Sequence, residues 1–265
     1  MPIGLLLLAA IVWNKISVKM FALKIMTLNT GNNKHLGGLL AIIRIENPDI
    51  VLLQEITVTS GQLKLYVAKH GYSAEANTDL LDVTSLGTGM IWKSHLPVRN
   101  VTSVVQCRLQ VASIGTYSLL NIYAPSGSNH RQGRRDFFGQ EVFNMVRSSS
   151  QYPIIVGDFN CVLSAQDTEN NFNDKKCPAL SDLVKGFNYA DAFRIVKPNA
   201  SEFTFHRPKS AASRLDRFYV PQYLKSRMFI TMLPYLIITM ECLSLSCPAL
   251  FLFLHLRDQT NHSGN

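Results

Sequence analysis

Leu23-Lys-Ile-Met-Thr-Leu-Asn29 alternates in the manner of a half-buried strand, and a Gly/Asn loop separates it from the helical spacing of Leu36 to Glu46. Asn47-Pro48-Asp49 breaks that helix, and Ile50-Val-Leu-Leu-Gln-Glu55 follows as a fully apolar strand ending in a carboxylate. Gly89 to Trp92, Val98 to Val105, Gln110 to Ile114 and Tyr117 to Tyr123 read as shorter strands with no helix between them, hence antiparallel. Arg135 to Arg147 has helical apolar spacing at Phe138, Val142, Met145 and Val146. Pro153-Ile-Ile-Val-Gly-Asp-Phe-Asn160 comes next, and Phe203-Thr-Phe205 and Leu215 to Val220 are again strand-like, with Asp216 inside the second. Two successions of strand, helix and antiparallel strands predict an α/β fold of two packed mixed β-sheets flanked by helices, a four-layer α/β sandwich.

The 153–160 segment carries the strongest chemical signal. A run apolar at every position reads as a strand buried on both faces, and polar groups just past the carboxyl end of such a strand are where α/β folds place chemistry. Asp158 and Asn160 stand at that position. Gly-Asp and Asn are also ordinary turn residues, so the spacing alone does not choose.

At 265 residues, without a linker, repeat or low-complexity tract, the chain reads as one domain. Residues 1–19 form an apolar leader outside the fold: Ile3 to Trp13 lacks a preceding basic region, and Met20 opens directly into the first strand. The domain is expected over 20–256, with a degenerate last strand region from 228 onward, and 257–265 as a disordered tail. Met228 to Leu256 is strongly apolar but interrupted by Pro234, Glu241 and Pro248, which reads as core strands rather than a membrane span.

Charge changes the picture further. The excess of 26 Lys+Arg over 18 Asp+Glu, with pI near 9.3, suits a polyanionic partner. Basic residues gather at Arg131/Arg134/Arg135, Lys175/Lys176 and Arg207/Lys209/Arg214/Arg217, while the acidic candidates stand singly at strand ends. A positive surface around a few carboxylates fits a phosphodiester; a solvated basic face is the competing reading. Five cysteines without C-x-x-C spacing indicate neither a disulfide framework nor a zinc site, and point to a reducing compartment.

Glu55 and Asn29 could share a hard cation, because Mg²⁺ prefers oxygen ligands and keeps several waters. Asp158 could position or deprotonate a water, and Asn160 could donate to a phosphoryl oxygen as charge builds.

Leu28-Asn29, Leu53-Gln54-Glu55, Asn121-Ile-Tyr-Ala-Pro125, Gly157-Asp-Phe-Asn160 and Ser213-Arg-Leu-Asp216, in this order, resemble the endonuclease/exonuclease/phosphatase superfamily. More narrowly, they resemble the endonuclease domain of LINE-type non-LTR retrotransposons, and the connecting segments Arg134 to Phe138, Ser164 to Thr168, Ser201 to Pro208 and Ser213 to Tyr219 share that likeness. The resemblance covers residues 22 to 225. It implies a DNase I-like sandwich and Mg²⁺-dependent hydrolysis of a DNA phosphodiester that leaves a 3′-hydroxyl, with Mn²⁺ as the alternative metal. Asn29 and Glu55 match its metal-binding residues, and Tyr123 matches the tyrosine that contacts the scissile phosphate. Asp158 matches the aspartate that handles the attacking water, Asn160 the amide that orients phosphate and water, and Asp216 the carboxylate that orients a catalytic histidine. DNA is the implied partner, with an intracellular, nuclear monomer that needs no membrane.

One departure limits the activity. The resembled family closes with Ser-Asp-His before a final apolar strand, where this chain reads Ser244-Leu245-Ser246. His255 and His262 follow without an aspartate immediately before either. The expectation is an endonuclease by descent with impaired turnover. The alternative is a catalytically inactive nucleic-acid-binding remnant of a retroelement, and behind both stands a repair nuclease or phosphatase of the same superfamily.

Overall fold

The computed structural model describes residues 19–33, 36–82, 84–115, 117–206, 211–232 and 236–244. The alternating first segment forms β1 (Lys19–Asn29), the Leu36 periodicity forms α1 (Leu36–Glu46), and the apolar run after Pro48 forms β2 (Ile50–Ile56). β1 and β2 are parallel, joined by that helix, with Ile25 opposite Ile50 and Asn29 opposite Gln54. α2 (Ser60–Ala68), β3 (Tyr72–Asn77) and β4 (Gly87–Lys93) follow.

The second half repeats the plan in another order. β5 (Val98–Val105), β6 (Leu109–Ile114) and β7 (Tyr117–Tyr123) form an antiparallel meander. α3 (Arg131–Asp136) runs through a π-helical stretch, Phe137–Val142, into α4 (Phe143–Ser148) and so to β8 (Ile154–Asp158), which lies parallel to β7. After α5 (Phe172–Lys175), α6 (Pro178–Gly186), β9 (Tyr189–Asp191) and α7 (Ala192–Val196), β10 (Asp216–Pro221) pairs antiparallel with β8 and β9. β11 (Met228–Met232) and β12 (Leu236–Ser244) return to the first sheet, where β12 pairs antiparallel with β1. The two six-stranded sheets have the orders β11-β12-β1-β2-β4-β3 and β5-β6-β7-β8-β10-β9. Each mixed sheet thus has a parallel pair near its centre.

Strand alternation sorts the apolar residues into three cores. Leu23, Ile25, Ile50, Leu52, Leu119, Ile154, Val156 and Phe218 pack between the sheets. Their neighbours along the same strands face the helices: Met26, Val51 and Leu53 meet Leu39 and Ile43 of α1 and Leu63 and Val67 of α2. On the other side Leu120, Ile122 and Ile155 meet Phe138, Val142, Val146, Leu180 and Leu183. Helix, sheet, sheet, helix: the expected four layers are present.

The elements absent from the sequence reading had thin signals. α2 buries only Leu63 and Val67 and exposes Leu65, so its apolar stripe is too narrow for periodicity to reveal. The Thr59-x-x-Gln62 capping box was the legible cue, with Thr59 Oγ1 accepting from Gln62 N–H and Gln62 Oε1 accepting from Thr59 N–H. β3 carries Ala74 and Ala76 where a strand usually shows β-branched residues. Conversely, the strand expected at Phe203 to Phe205 reduces to an isolated bridge between Phe205 and Ser213.

The basic surface needs a larger correction. Arg134, Arg214 and Arg217 are buried, not solvent-facing. Arg134 donates to the carbonyls of Pro125 (2.7 Å) and Gly127 (2.8 Å), and Arg214 forms ion pairs with Asp167 (2.9 Å) and Asp191 (2.5 Å). Arg217 donates to the carbonyls of Cys161 (2.7 Å) and Arg214 (2.6 Å). Arg guanidinium groups tolerate such burial when acceptors surround them, which composition cannot reveal. Arg207, Lys209, residues 1–18 of the leader, Leu245, Ser246, His255 and His262 lie outside the described residues, while Lys19, expected to end the leader, instead begins β1. Among the described residues no helix is long and apolar enough to cross a membrane, and the apolar stretch after Met228 enters β11 and β12 as far as Ser244.

Above the inter-sheet core lies a layer of buried polar side chains. Gln54 Nε2 on β2 donates to Asn121 Oδ1 on β7 at 2.7 Å, and Thr27 Oγ1 on β1 donates to Gln54 Oε1 at 3.2 Å. Asn121 Nδ2 reaches back to the carbonyls of Leu53 (3.1 Å) and Gly89 (2.9 Å). Buried amides are stabilising only when their partners are all present. Asn121→Leu should therefore lower stability by on the order of 3 kcal/mol by leaving Gln54 and two carbonyls unpaired. Urea denaturation should show a lower midpoint with an unchanged slope.

Candidate active site

The same period of two that builds the inter-sheet core continues past it. Along the inward face β1 passes from Ile25 to Thr27 to Asn29, β7 from Leu119 to Asn121 to Tyr123, and β8 from Ile154 to Val156 to Asp158. Because β1/β2 and β7/β8 are parallel pairs, their carboxyl ends share one edge of the sandwich. β10 begins there, with Asp216 directly opposite Asp158. Tyr123 pairs with Asp158 on the other side.

Glu55 breaks the alternation. It follows the inward Gln54, so an unbroken strand would turn it toward the helices. The β2–β4 register shifts between Gln54 and Ile56, and Glu55 has φ +59°, a bulge that re-aims its carboxylate into the site. Gly157 meets a comparable constraint. Its φ is +131°, and a Cβ there would stand 2.1 Å from the Ile122 carbonyl oxygen, so only glycine allows β7 and β8 to approach below Asp158.

All six candidate residues converge. Asn29 Nδ2 donates to both Glu55 Oε1 and Asp158 Oδ2, each at 3.1 Å, which links the two sheets at the rim. Tyr123 OH reaches Glu55 Oε1 at 3.4 Å. Asp158 Oδ1 accepts the Asn160 backbone N–H at 2.8 Å, and the Asn160 side chain donates to the Ala124 carbonyl at 2.8 Å. Asn160 holds φ +48°, a left-handed conformation that asparagine tolerates. Asp216 Oδ1 is buried without a hydrogen-bond partner among the described residues.

Four supporting residues carry no role in the sequence pattern. Thr30 Oγ1 donates to the Gln54 (3.1 Å) and Glu55 (2.9 Å) carbonyls and secures the bulge. Gln54 and Asn121 form the floor; a polar residue at an inward position of an otherwise apolar strand was the available signal. Arg108 lies over the Tyr123 ring, 4.6 Å from its centroid, and its Nη1 is buried without a partner among the described residues. Nothing in the local sequence around Arg108 points to Tyr123, because the two meet across the β6–β7 hairpin.

With that geometry in view, the comparisons with known proteins become specific. Residues 26–237 match the Endonuclease/Exonuclease/phosphatase family. The chain belongs to this family. It is 30% identical over 219 residues to the Transposon TX1 uncharacterized 149 kDa protein of Xenopus laevis, a match that covers 78% of this chain and 16% of that protein. Its fold resembles an AP endonuclease from Archaeoglobus fulgidus, with TM-score 0.71, 17% identity, and coverage of 84% of this chain and 100% of the other. It also resembles a 3′ phosphatase from Neisseria bound to product DNA hairpin, with TM-score 0.64, 16% identity, and coverage of 82% and 98%.

The electrostatics of the site suit phosphoester chemistry. Burial first, and then the charge of Asp216, push the Asp158 carboxyl well above the usual range. Burial likewise raises Asp216, against a hydrogen bond from Thr204 and the charge of Arg217. Burial, followed by the charges of Glu55 and Asp158, pushes the Tyr123 hydroxyl up to about 12, so it remains a donor at neutral pH. No Lys or Arg forms an ion pair with Glu55, Asp158 or Asp216 among the described residues.

An acidic, oxygen-rich, uncompensated set of this kind fits a hard divalent cation. No group of three or more His, Cys, Asp or Glu able to hold a metal occurs among the described residues, and Mg²⁺ does not require one, since one or two carboxylates plus waters suffice. Asn29 presents its amide nitrogen to the carboxylates, while its Oδ1 accepts from Gly31 N–H at 2.9 Å. In this arrangement Glu55 is the oxygen donor of the expected pair and Asn29 is the spacer between carboxylates.

A raised carboxyl pKa binds protons in the folded chain that the unfolded chain has released, so Asp158 opposes folding increasingly as pH rises above its unfolded value of about 3.9. Asp158→Asn removes that charge and keeps the shape. In metal-free buffer it should raise stability at pH 8 by about 1 kcal/mol, with a gain that shrinks toward pH 4. Thermal midpoints of the two proteins across that pH range are the check; equal midpoints at pH 8 would contradict the electrostatic account.

Proposed function

We propose that the chain is a Mg²⁺-dependent phosphodiesterase, a DNA endonuclease of the kind carried by non-LTR retrotransposons, with turnover impaired at its terminal motif. The observation that carries the reading is the convergence of Asn29, Glu55, Tyr123, Asp158, Asn160 and Asp216 on one edge of the sandwich, with three carboxylates in no ion pair with Lys or Arg among the described residues. The transposon relative supports the retroelement branch, and the two nuclease and phosphatase neighbours support phosphoester chemistry on this scaffold. Fold alone does not choose between a retroelement nuclease and a repair enzyme or phosphatase.

Each residue has a role that its surroundings permit. Asp158, raised toward neutral pH, would take a proton from the attacking water and hold it at a carboxylate oxygen. Asn160, fixed by Ala124, would orient phosphate and water, and the protonated Tyr123 hydroxyl would donate to a phosphoryl oxygen. Glu55 would hold Mg²⁺ or Mn²⁺ through its carboxylate, positioned by Asn29 beside it, and the ion when bound would neutralise charge developing on the phosphoryl oxygens. Asp216 would orient a histidine, but the position that matches this histidine reads Ser246, and the one before it reads Leu245. Acting on genomic DNA, such a protein would work in the nucleus, as a monomer.

The unpartnered Asp216 Oδ1 favours a second reading, in which the chain binds nucleic acid and no longer turns over. Nicking of supercoiled plasmid with Mg²⁺ separates the two. The wild-type chain should nick weakly, Asp158→Ala should abolish nicking, and Leu245→Asp/Ser246→His should raise the rate by roughly 10²–10⁴-fold. Wild-type nicking that survives Asp158→Ala would sink the active-site assignment. DNA binding without nicking by either the wild type or the double variant would establish the second reading.

A further inference from the structure

Part of the basic character expected from the sequence lies around one cleft. Arg131, Arg134, Arg135 and Lys176 line an open cleft with Asn173, Cys177 and Pro178. Arg131, Arg135 and Lys176 are exposed, and neither Arg135 nor Lys176 has an ion-pair partner among the described residues. Arg131 pairs with Asp174 at 3.0 Å, but both side chains are about half exposed, so the pair is weak and leaves the cleft strongly positive. Cys177 and Pro178 are the N-cap and first residue of α6, so the helix dipole adds to the field of the side chains in the same sense.

The cleft is tied to the candidate active site by direct contacts. Arg134 holds the carbonyls of Pro125 and Gly127, in the loop that leaves Tyr123. Asn160 holds the carbonyl of Ala124 in that same loop. The chain following Asn160 also borders the cleft, since Val162 forms a bridge with Lys176. Four extended residues span at most about 14 Å, which bounds the backbone separation of Tyr123 from Gly127. A nucleic acid strand advances about 3.4 Å per nucleotide along the helix axis, so one strand at Tyr123 reaches the cleft within a few nucleotides.

We propose that this cleft is a second phosphate subsite, in which Arg135, Lys176 and Arg131 hold a backbone phosphate of the DNA away from the reacting one. The inference rests on the reading of the chain as a DNA-binding nuclease and extends it by assigning a strand-anchoring role to α3 and the start of α6. Arg134 serves as the rigid back wall, its guanidinium spent partly on loop carbonyls, while the exposed cations supply the charge.

Binding of a fluorescently labelled DNA duplex to the full chain in EDTA, followed by anisotropy across a series of KCl concentrations, tests the subsite without turnover. Loss of one phosphate contact should flatten the dependence of log K on log salt by about 1, so Arg135→Ala/Lys176→Ala should flatten it by about 1 and weaken binding alike across sequences. Arg135→Lys/Lys176→Arg, which keeps the charges, should retain the wild-type slope. Both side chains are exposed, and matching thermal midpoints confirm that the variants fold. An unchanged slope in the alanine variant, with wild-type binding intact, would overturn the subsite alone. Absence of DNA binding by the wild-type chain would overturn the subsite together with the DNA-nuclease reading.

Discussion

The amide bridge from Gln54 to Asn121 is the contact on which the geometry of the site depends. It crosses between the sheets above the apolar core, and it is fully buried at both ends. Apolar contacts alone tolerate sliding of one sheet over the other, because dispersion and the hydrophobic effect are not directional. A short buried hydrogen bond does not tolerate it, since displacement leaves donor and acceptor unpaired in a low-dielectric environment. Asn77 adds a second tie of this type, from β3 to the Val105 and Leu109 carbonyls of the opposite sheet. With the sheets held in register, Asn29 on one can span to Asp158 on the other.

A second polar assembly fixes the remaining side of the site. Arg214 and Arg217 lie within a group that includes Asp167, Asp191 and Arg194, and Arg194 bonds to Asp167 as well. The group reaches both loops that matter: Arg217 holds the Cys161 carbonyl, beside Asn160, and its own strand begins at Asp216. Thr204 Oγ1 accepts the Leu215 and Asp216 N–H groups, at 3.0 and 3.1 Å. A buried ion-pair network of this size gains little net stability over apolar packing, yet removing one partner strands another charge. Its evident result here is position: the Asp158–Asn160 loop and the start of β10 are held against each other.

The site itself carries the opposite electrostatic character. Where Asp167 is held below the usual carboxylate range by its arginines against burial, Asp158 and Asp216 are pushed above it by burial, Asp216 despite the charge of Arg217. The same residue type is therefore paired at one place and uncompensated at another, and only the neighbours decide which. Glu55 and Asn160 hold positive φ at the site, as do Asn47, Asn100, Cys107 and Asn188 elsewhere.

Much of this was legible from sequence, for reasons that are local. The buried runs at Ile50–Ile56 and Ile154–Asp158, the alternation at Leu23 to Asn29 and the helical spacing after Leu36 depend on neighbours two to four positions apart, which a linear reading captures. Polar residues at the ends of those strands pointed to Asn29, Glu55 and Asp158, the resemblance added Tyr123 and Asp216, and their order marked the family. Short α2, small-residue β3 and three-residue β9 escaped because their burial comes from partners distant in the chain. The same limit explains the arginines. Arg134, Arg214 and Arg217 look identical in sequence to the exposed Arg131 and Arg135, and only the approach of Asp167, Asp191 and the Pro125–Gly127 carbonyls across the fold turned three of them into structure and left the others exposed. Sequence by itself determined which residues stand at strand ends, because period and punctuation are short-range; the tertiary structure alone decided which charges are paired, because pairing joins residues as far apart as Asn29 and Asp158.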